Sequence, residues 1–191
     1  MLPGAVTCCF DGERVFEAGF FERPEIQAPS FSPAETGLEA GTYLYIAEWE
    51  HFDAKGNRHV SATSDAVPIS PDETATVTIQ AQCNFATRRG DKDDTRNAGA
   101  RLVVYRTKKN ESAPFYRIVS PTATSLADID SPQYLLENNP NFDTVRLTDG
   151  FDDAAMLALG WGLYTGNLAG AIPGAVQDPG PVPPSRFLLN T

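Results

Sequence analysis

Few residues of this chain have types and spacings that suit chemistry. Only two histidines occur, His51 and His59, on either side of the turn-forming run Asp53-Ala54-Lys55-Gly56-Asn57. On the two arms of a hairpin they would face each other, an arrangement that suits a pH-sensitive or metal-binding pair. The plainer reading is two polar strand residues beside a solvent-facing turn. Carboxylates gather later, at Asp128 and Asp130, then at Asp149, Asp152 and Asp153. Paired carboxylates can hydrolyse glycosides, and clustered oxygens can hold calcium. No calcium-loop pattern contains them, however, and Asp152-Asp153 ahead of an apolar run is what a helix start requires. Three cysteines occur: Cys8 and Cys9 are adjacent, where a bridge would be strained, and Cys83 is left over. There is no C-x-x-C pair, so neither a disulfide framework nor a zinc knuckle is indicated, and a reducing folding compartment is expected. No G-x-S-x-G, P-loop or H-E-x-x-H occurs. The tripeptide Arg89-Gly90-Asp91 could serve adhesion, but without secretory or disulfide signs it reads as part of a solvated loop. The expectation is a chain that is not an enzyme, with no catalytic, cofactor-binding or metal residue and no cofactor.

The 191 residues allow one domain of ordinary size, or a smaller one with long arms. Apolar residues at 41% can form a core, and charged residues at 21% with a net charge of -10 suit an acidic surface. That charge argues against non-specific binding of duplex DNA, since the phosphate backbone rewards net positive charge. Arg88, Arg89, Lys92 and Arg96 make a local basic patch, but Asp91, Asp93 and Asp94 are interleaved with it. The opening MLPGAVTCCFDGERVFEAGF is too acidic for a secretory signal, and no apolar run approaches the length of a membrane span.

Strand signals dominate. In YLYIAEWE, Tyr43, Tyr45, Ala47 and Trp49 share one face, and Leu44, Ile46, Glu48 and Glu50 the other. The turn at 53–57 and the return from Arg58 to Thr63 make a hairpin. DAVPIS follows, then a half-buried strand in which Val77, Ile79 and Ala81 alternate with Thr76, Thr78 and Gln80. After a charged loop at 84–99, ARLVVYRT puts Leu102, Val104 and Arg106 on one face and Val103 and Tyr105 on the other. FYRIVS at 115–120 and FDTVRLTD at 142–149 supply further strands. SPQYLLENN at 131–139 reads as one or two helical turns, and FDDAAMLALG at 151–160 as a short helix with an Asp cap and a Gly stop. Near the start, VTCCF and RVFEAGFF read as short strands, and Pro24, Pro29 and Pro33 are expected to break any regular element. The fold class is all-β, an immunoglobulin/fibronectin type III-like sandwich with extended N- and C-terminal arms. The division is an N-terminal arm or edge strand at 1–35, the sandwich with short helical inserts at 36–165, and a Pro/Gly-rich arm at 166–191. Tyr43, Tyr45, Trp49, Val104, Tyr105, Phe115 and Ile118 are expected to fill the space between the sheets rather than form a binding platform.

AGTYLYIAEWEHFDAKGNRHVSATSDAVPIS, followed by ARLVVYRTKKNESAPFYRIVSPTATS and FDTVRLTDGFDDAAMLALGWGLYTGN, resembles a fibronectin type III-like module of tailed-bacteriophage structural proteins. The likeness runs from about residue 35 to residue 191, and PPSRFLL looks like that family's junction into a larger β-rich domain. The resemblance implies a virion structural protein, assembled in the host cytoplasm. It would pack in a ring of tail, neck or nozzle, with other copies of itself and neighbouring phage proteins as partners. Neither a membrane nor nucleic acid is an expected partner. The expected assembly contacts are Arg186, Phe187, Leu188 and Leu189 in the C-terminal arm, with Arg88 and Arg89 in the charged loop. A carbohydrate- or host-surface-binding module, using the 84–99 loop, is the alternative.

Overall fold

The computed structural model describes residues 8–10, 15–17, 20, 22–52, 58–84, 100–119, 136–138, 142–162 and 164. Two short strands, β1 (Cys8–Phe10) and β2 (Val15–Glu17), pair as an antiparallel hairpin. The long strand β3 (Ile26–Leu38) comes next. It is followed by β4 (Tyr43–Phe52), β5 (Arg58–Val60), β6 (Val67–Ile69), β7 (Ala75–Gln82) and β8 (Arg101–Arg106). The short β9 (Tyr116–Arg117) and β10 (Leu136–Glu137) precede β11 (Thr144–Asp149) and the helix α1 (Asp153–Leu159).

Among the described residues, β3 to β11 form two antiparallel sheets. The smaller has the order β11-β7-β3, and the larger β10-β8-β4-β5, with β6 also on β4 and β9 also on β8. Their facing sides make one core, from Leu38, Val77, Ile79, Val145 and Leu147 on one side to Tyr43, Tyr45, Trp49, Leu102, Val104 and Leu136 on the other. This is an all-β, two-sheet sandwich with little helix. The alternation expected for β7 is present, with Val77, Ile79 and Ala81 buried and Thr76, Thr78 and Gln80 half-buried.

Three expectations are corrected. Pro29 and Pro33 do not break the chain; they sit inside β3, which pairs only with β7 among the described strands. An edge strand needs hydrogen bonds on one side only, so it tolerates residues that lack an N–H. The register slips between Gln27 and Ser30 and again between Pro33 and Leu38, absorbing the misfit as bulges. At the second slip Gly37 has φ +142°, and a Cβ there would lie 2.4 Å from the Ala75 carbonyl oxygen. Second, within the segment read as helical at 131–139, Leu136 and Glu137 are a strand paired with Leu102 and Arg101. Burial of Leu136 in the core outweighs the local helix-start signal. Third, Tyr105 does not point between the sheets but lies on the opposite face of β8, beside Val103.

The hairpin return is shorter than Arg58–Thr63. Only Arg58–Val60 pairs as strand, after which hydroxyls take over from carbonyls: Ser61 Oγ accepts from Trp49 N and Ser64 Oγ from Ala47 N, each at 2.9 Å. The turn at 53–57 lies outside the described residues. The helix is as expected: the Asp152 side chain accepts from Ala155 N, and Gly160 closes it in the left-handed conformation.

Candidate functional site

Alternation along β4 puts Glu48 and Glu50 on the face turned away from the small sheet. Antiparallel pairing sets Glu50 against Arg101 and Val60, and Glu48 against Val103. Arg58 on β5 and Arg117 on β9 complete the group. This outer face is not an open one: Glu48, Glu50, Arg101, Tyr105 and Arg117 are all buried, and Glu50 has 0% exposure.

Glu50 is the centre. Its carboxylate takes Arg101 Nε at 2.7 Å and Arg101 Nη2 at 2.6 Å, both Arg117 Nη atoms at 3.2 Å, and Arg58 Nε. Glu48 accepts from Tyr105 Oη at 2.7 Å and from Arg58 Nη2. Arg101 also stacks over the Phe52 ring, its Cζ 5.0 Å from the centroid. Burial alone would push the Glu50 carboxyl up, but Arg117 and Arg101, with Arg58, outweigh it and bring its pKa down to about 2. Glu48 goes the other way: burial raises it, and Arg58 and Tyr105 offset only part of that rise. Burial, then Glu48, pushes the Tyr105 hydroxyl up as well. Arg58 forms the rim of the network, with a side chain 31% exposed.

A second cluster lies between the sheets. Arg106, on the core face of β8, stands 2.9 Å from Asp149 Oδ2 on β11 through Nε, a contact not aligned for a hydrogen bond. It also reaches Asp153 Oδ1 on α1 at 2.7 Å and the Phe151 carbonyl at 3.1 Å. Asp149 accepts from Tyr45 Oη at 2.9 Å and from Phe151 N at 3.1 Å. Arg106 Cζ sits 5.0 Å from the centroid of the Tyr43 ring. Burial opposes the charge on Arg106, but Asp149 leads the groups that outweigh it and hold its pKa up. One arginine therefore ties the large sheet, the small sheet and the helix together.

The two histidines are cross-strand partners, His51 opposite His59, with ring centroids 6.2 Å apart. His51 is buried rather than beside solvent. Among the described residues, no group of three or more His, Cys, Asp or Glu is placed to hold a metal ion. Of the expected carboxylates, Asp149 and Asp153 meet at Arg106, Asp152 caps α1, and Asp128 and Asp130 lie outside the described residues. The expected assembly contacts, Arg88, Arg89, Arg186, Phe187, Leu188 and Leu189, also lie outside them.

Neither buried network was found from sequence. The signal was present: Glu48 and Glu50 continue the face of Leu44 and Ile46, and Arg101 and Tyr105 share one face of β8. Apart from Arg106 Nε, which makes only an ion pair with Asp149, every donor named in these networks is committed to an internal acceptor, so the arrangement fastens strands and layers to one another. No protein-family model, curated protein or solved structure matches the chain.

Proposed function

We propose that the chain is a non-enzymatic structural protein of a tailed-bacteriophage virion, whose fibronectin type III-like sandwich packs in a ring of the tail or neck. The strand order supports the module. β3 and β7 share one sheet, and β4 and β8 the other, as strands B and E and strands C and F do in immunoglobulin-like sandwiches. β9 and β10 lie where strand G would, on the free side of β8. β11, added to the far side of β7, departs from that plan. The observation that carries the functional reading is the placement of the charges. Among the described residues, the buried carboxylates Glu48, Glu50 and Asp149 and the guanidiniums around them tie strands and layers together inside the domain. A framework element needs such ties, and the sequence resemblance supplies its setting.

The test is electron microscopy of purified particles, with sedimentation of the isolated protein. Rings of the chain, or density for it in a tail or neck layer, are expected. Absence from particles together with a monomer at high concentration would sink the proposal. Truncation after Gly166 should leave the β fold intact by circular dichroism while abolishing assembly.

A further inference from the structure

The last described residues, Gly162 and Tyr164, lie along one margin of the domain. Gly162 O accepts from Arg117 N at 3.0 Å, and Tyr164 N donates to Phe115 O at 2.8 Å, so the chain runs antiparallel beside β9. The Tyr164 ring packs edge-on against Tyr105, with centroids 5.4 Å apart. β9 lies on β8, on the side away from β4.

The opposite margin is different. There β6 pairs with the other edge of β4, and β3 comes against β6 from the small sheet. The core-side residues at this margin are incompletely covered. Phe31, opposite the buried Val77, is 40% exposed, and Ile26, Pro29 and Val67 are half-buried. The rim is acidic. Glu22, Glu25 and Glu35 are exposed on or ahead of β3, while Asp65 is held by Arg23 at 2.8 and 3.0 Å.

We infer that this β3–β6 seam is the receptor for the Arg186-Phe187-Leu188-Leu189 segment of a neighbouring copy. The inference rests on the ring-assembly reading above and names the surface it uses. The apolar seam matches Phe187, Leu188 and Leu189, and the carboxylate rim matches Arg186. Residues 165–191, five of them proline, could span about 80 Å if extended at about 3.1 Å per residue, ample to reach a neighbour. With Tyr164, from which the arm continues, and the receptor on opposite margins, each copy can offer its arm to the next head to tail, the heterologous arrangement that closes into rings.

The experiment uses the full chain in sedimentation velocity and a labelled peptide of residues 181–191 in fluorescence anisotropy. The peptide should bind and should break up the assembly in excess. Phe31→Asp should weaken peptide binding about tenfold or more and stop assembly, while circular dichroism stays native. Glu25→Arg with Glu35→Arg should weaken the wild-type peptide and restore binding to one carrying Arg186→Glu. If Phe31→Asp and the charge reversals assemble like the parent while truncation after Gly166 does not, the seam is wrong and the arm's role survives. If the full chain never self-associates, both fall. If Phe31→Asp lowers the stability of a monomer to the same extent as truncation does, the arm docks on its own domain and the inference between copies is overturned.

Discussion

Replacing Glu50 by Gln keeps the shape of the side chain and removes the charge at the meeting point of Arg58, Arg101 and Arg117. A carboxyl brought from 4.5 to about 2 in the folded state contributes about 3 kcal/mol at neutral pH, at 1.36 kcal/mol per pKa unit. Removing one partner from a buried ion pair costs about 3–5 kcal/mol, which agrees. The sign follows from the direction of the shift. A carboxyl whose folded pKa is depressed stabilises fully above its unfolded pKa, and the contribution is lost as pH falls through the folded value. Between pH 4.5 and about 2 the parent should therefore converge on the variant. At pH 3 the remaining difference should be about 1.4 kcal/mol. Urea unfolding followed by tryptophan fluorescence, to which Trp49 in the core contributes, measures the gap at pH 7, 4 and 3. A gap under about 1 kcal/mol at pH 7, or one equally large at pH 3, would refute the claim that three guanidiniums hold this charge in place.

Gly37→Ala should destabilise the fold by about 2 kcal/mol or more, because its Cβ would meet the Ala75 carbonyl at a backbone angle that alanine resists. A thermal melt close to that of the parent would show that the bulge can relax. Tyr45→Phe should cost about 1–2 kcal/mol in denaturant unfolding, since Asp149 loses a buried donor while keeping Arg106 and Phe151 N. A neutral result would mean that Tyr45 contributes only its ring.

Sequence alone determined the local features. The period of two along β4, β7 and β8, the Asp152 cap and the Gly160 stop depend on residues a few positions apart, and such short-range rules can be read from one chain. The same alternation sorted Tyr43, Tyr45 and Trp49 from Ile46, Glu48 and Glu50. Only the tertiary structure decided that the second group is buried as well. Strand periodicity separates two faces but does not say what covers each, so it put Glu48 and Glu50 on one face without showing that this face is buried. Leu136 was misread for a related reason: its partner, Leu102, lies more than thirty residues away in sequence, and long-range burial overrode a local helix signal. Pro29 and Pro33 were misread because proline forbids a hydrogen bond on one side of a strand, and a sequence does not reveal that β3 needs bonds on only one. Arg106 and Asp149 show the same limit most plainly. An ion pair joining two sheets exists only once pairing and packing have brought β8 and β11 together, and no spacing rule connects residues that meet across a core.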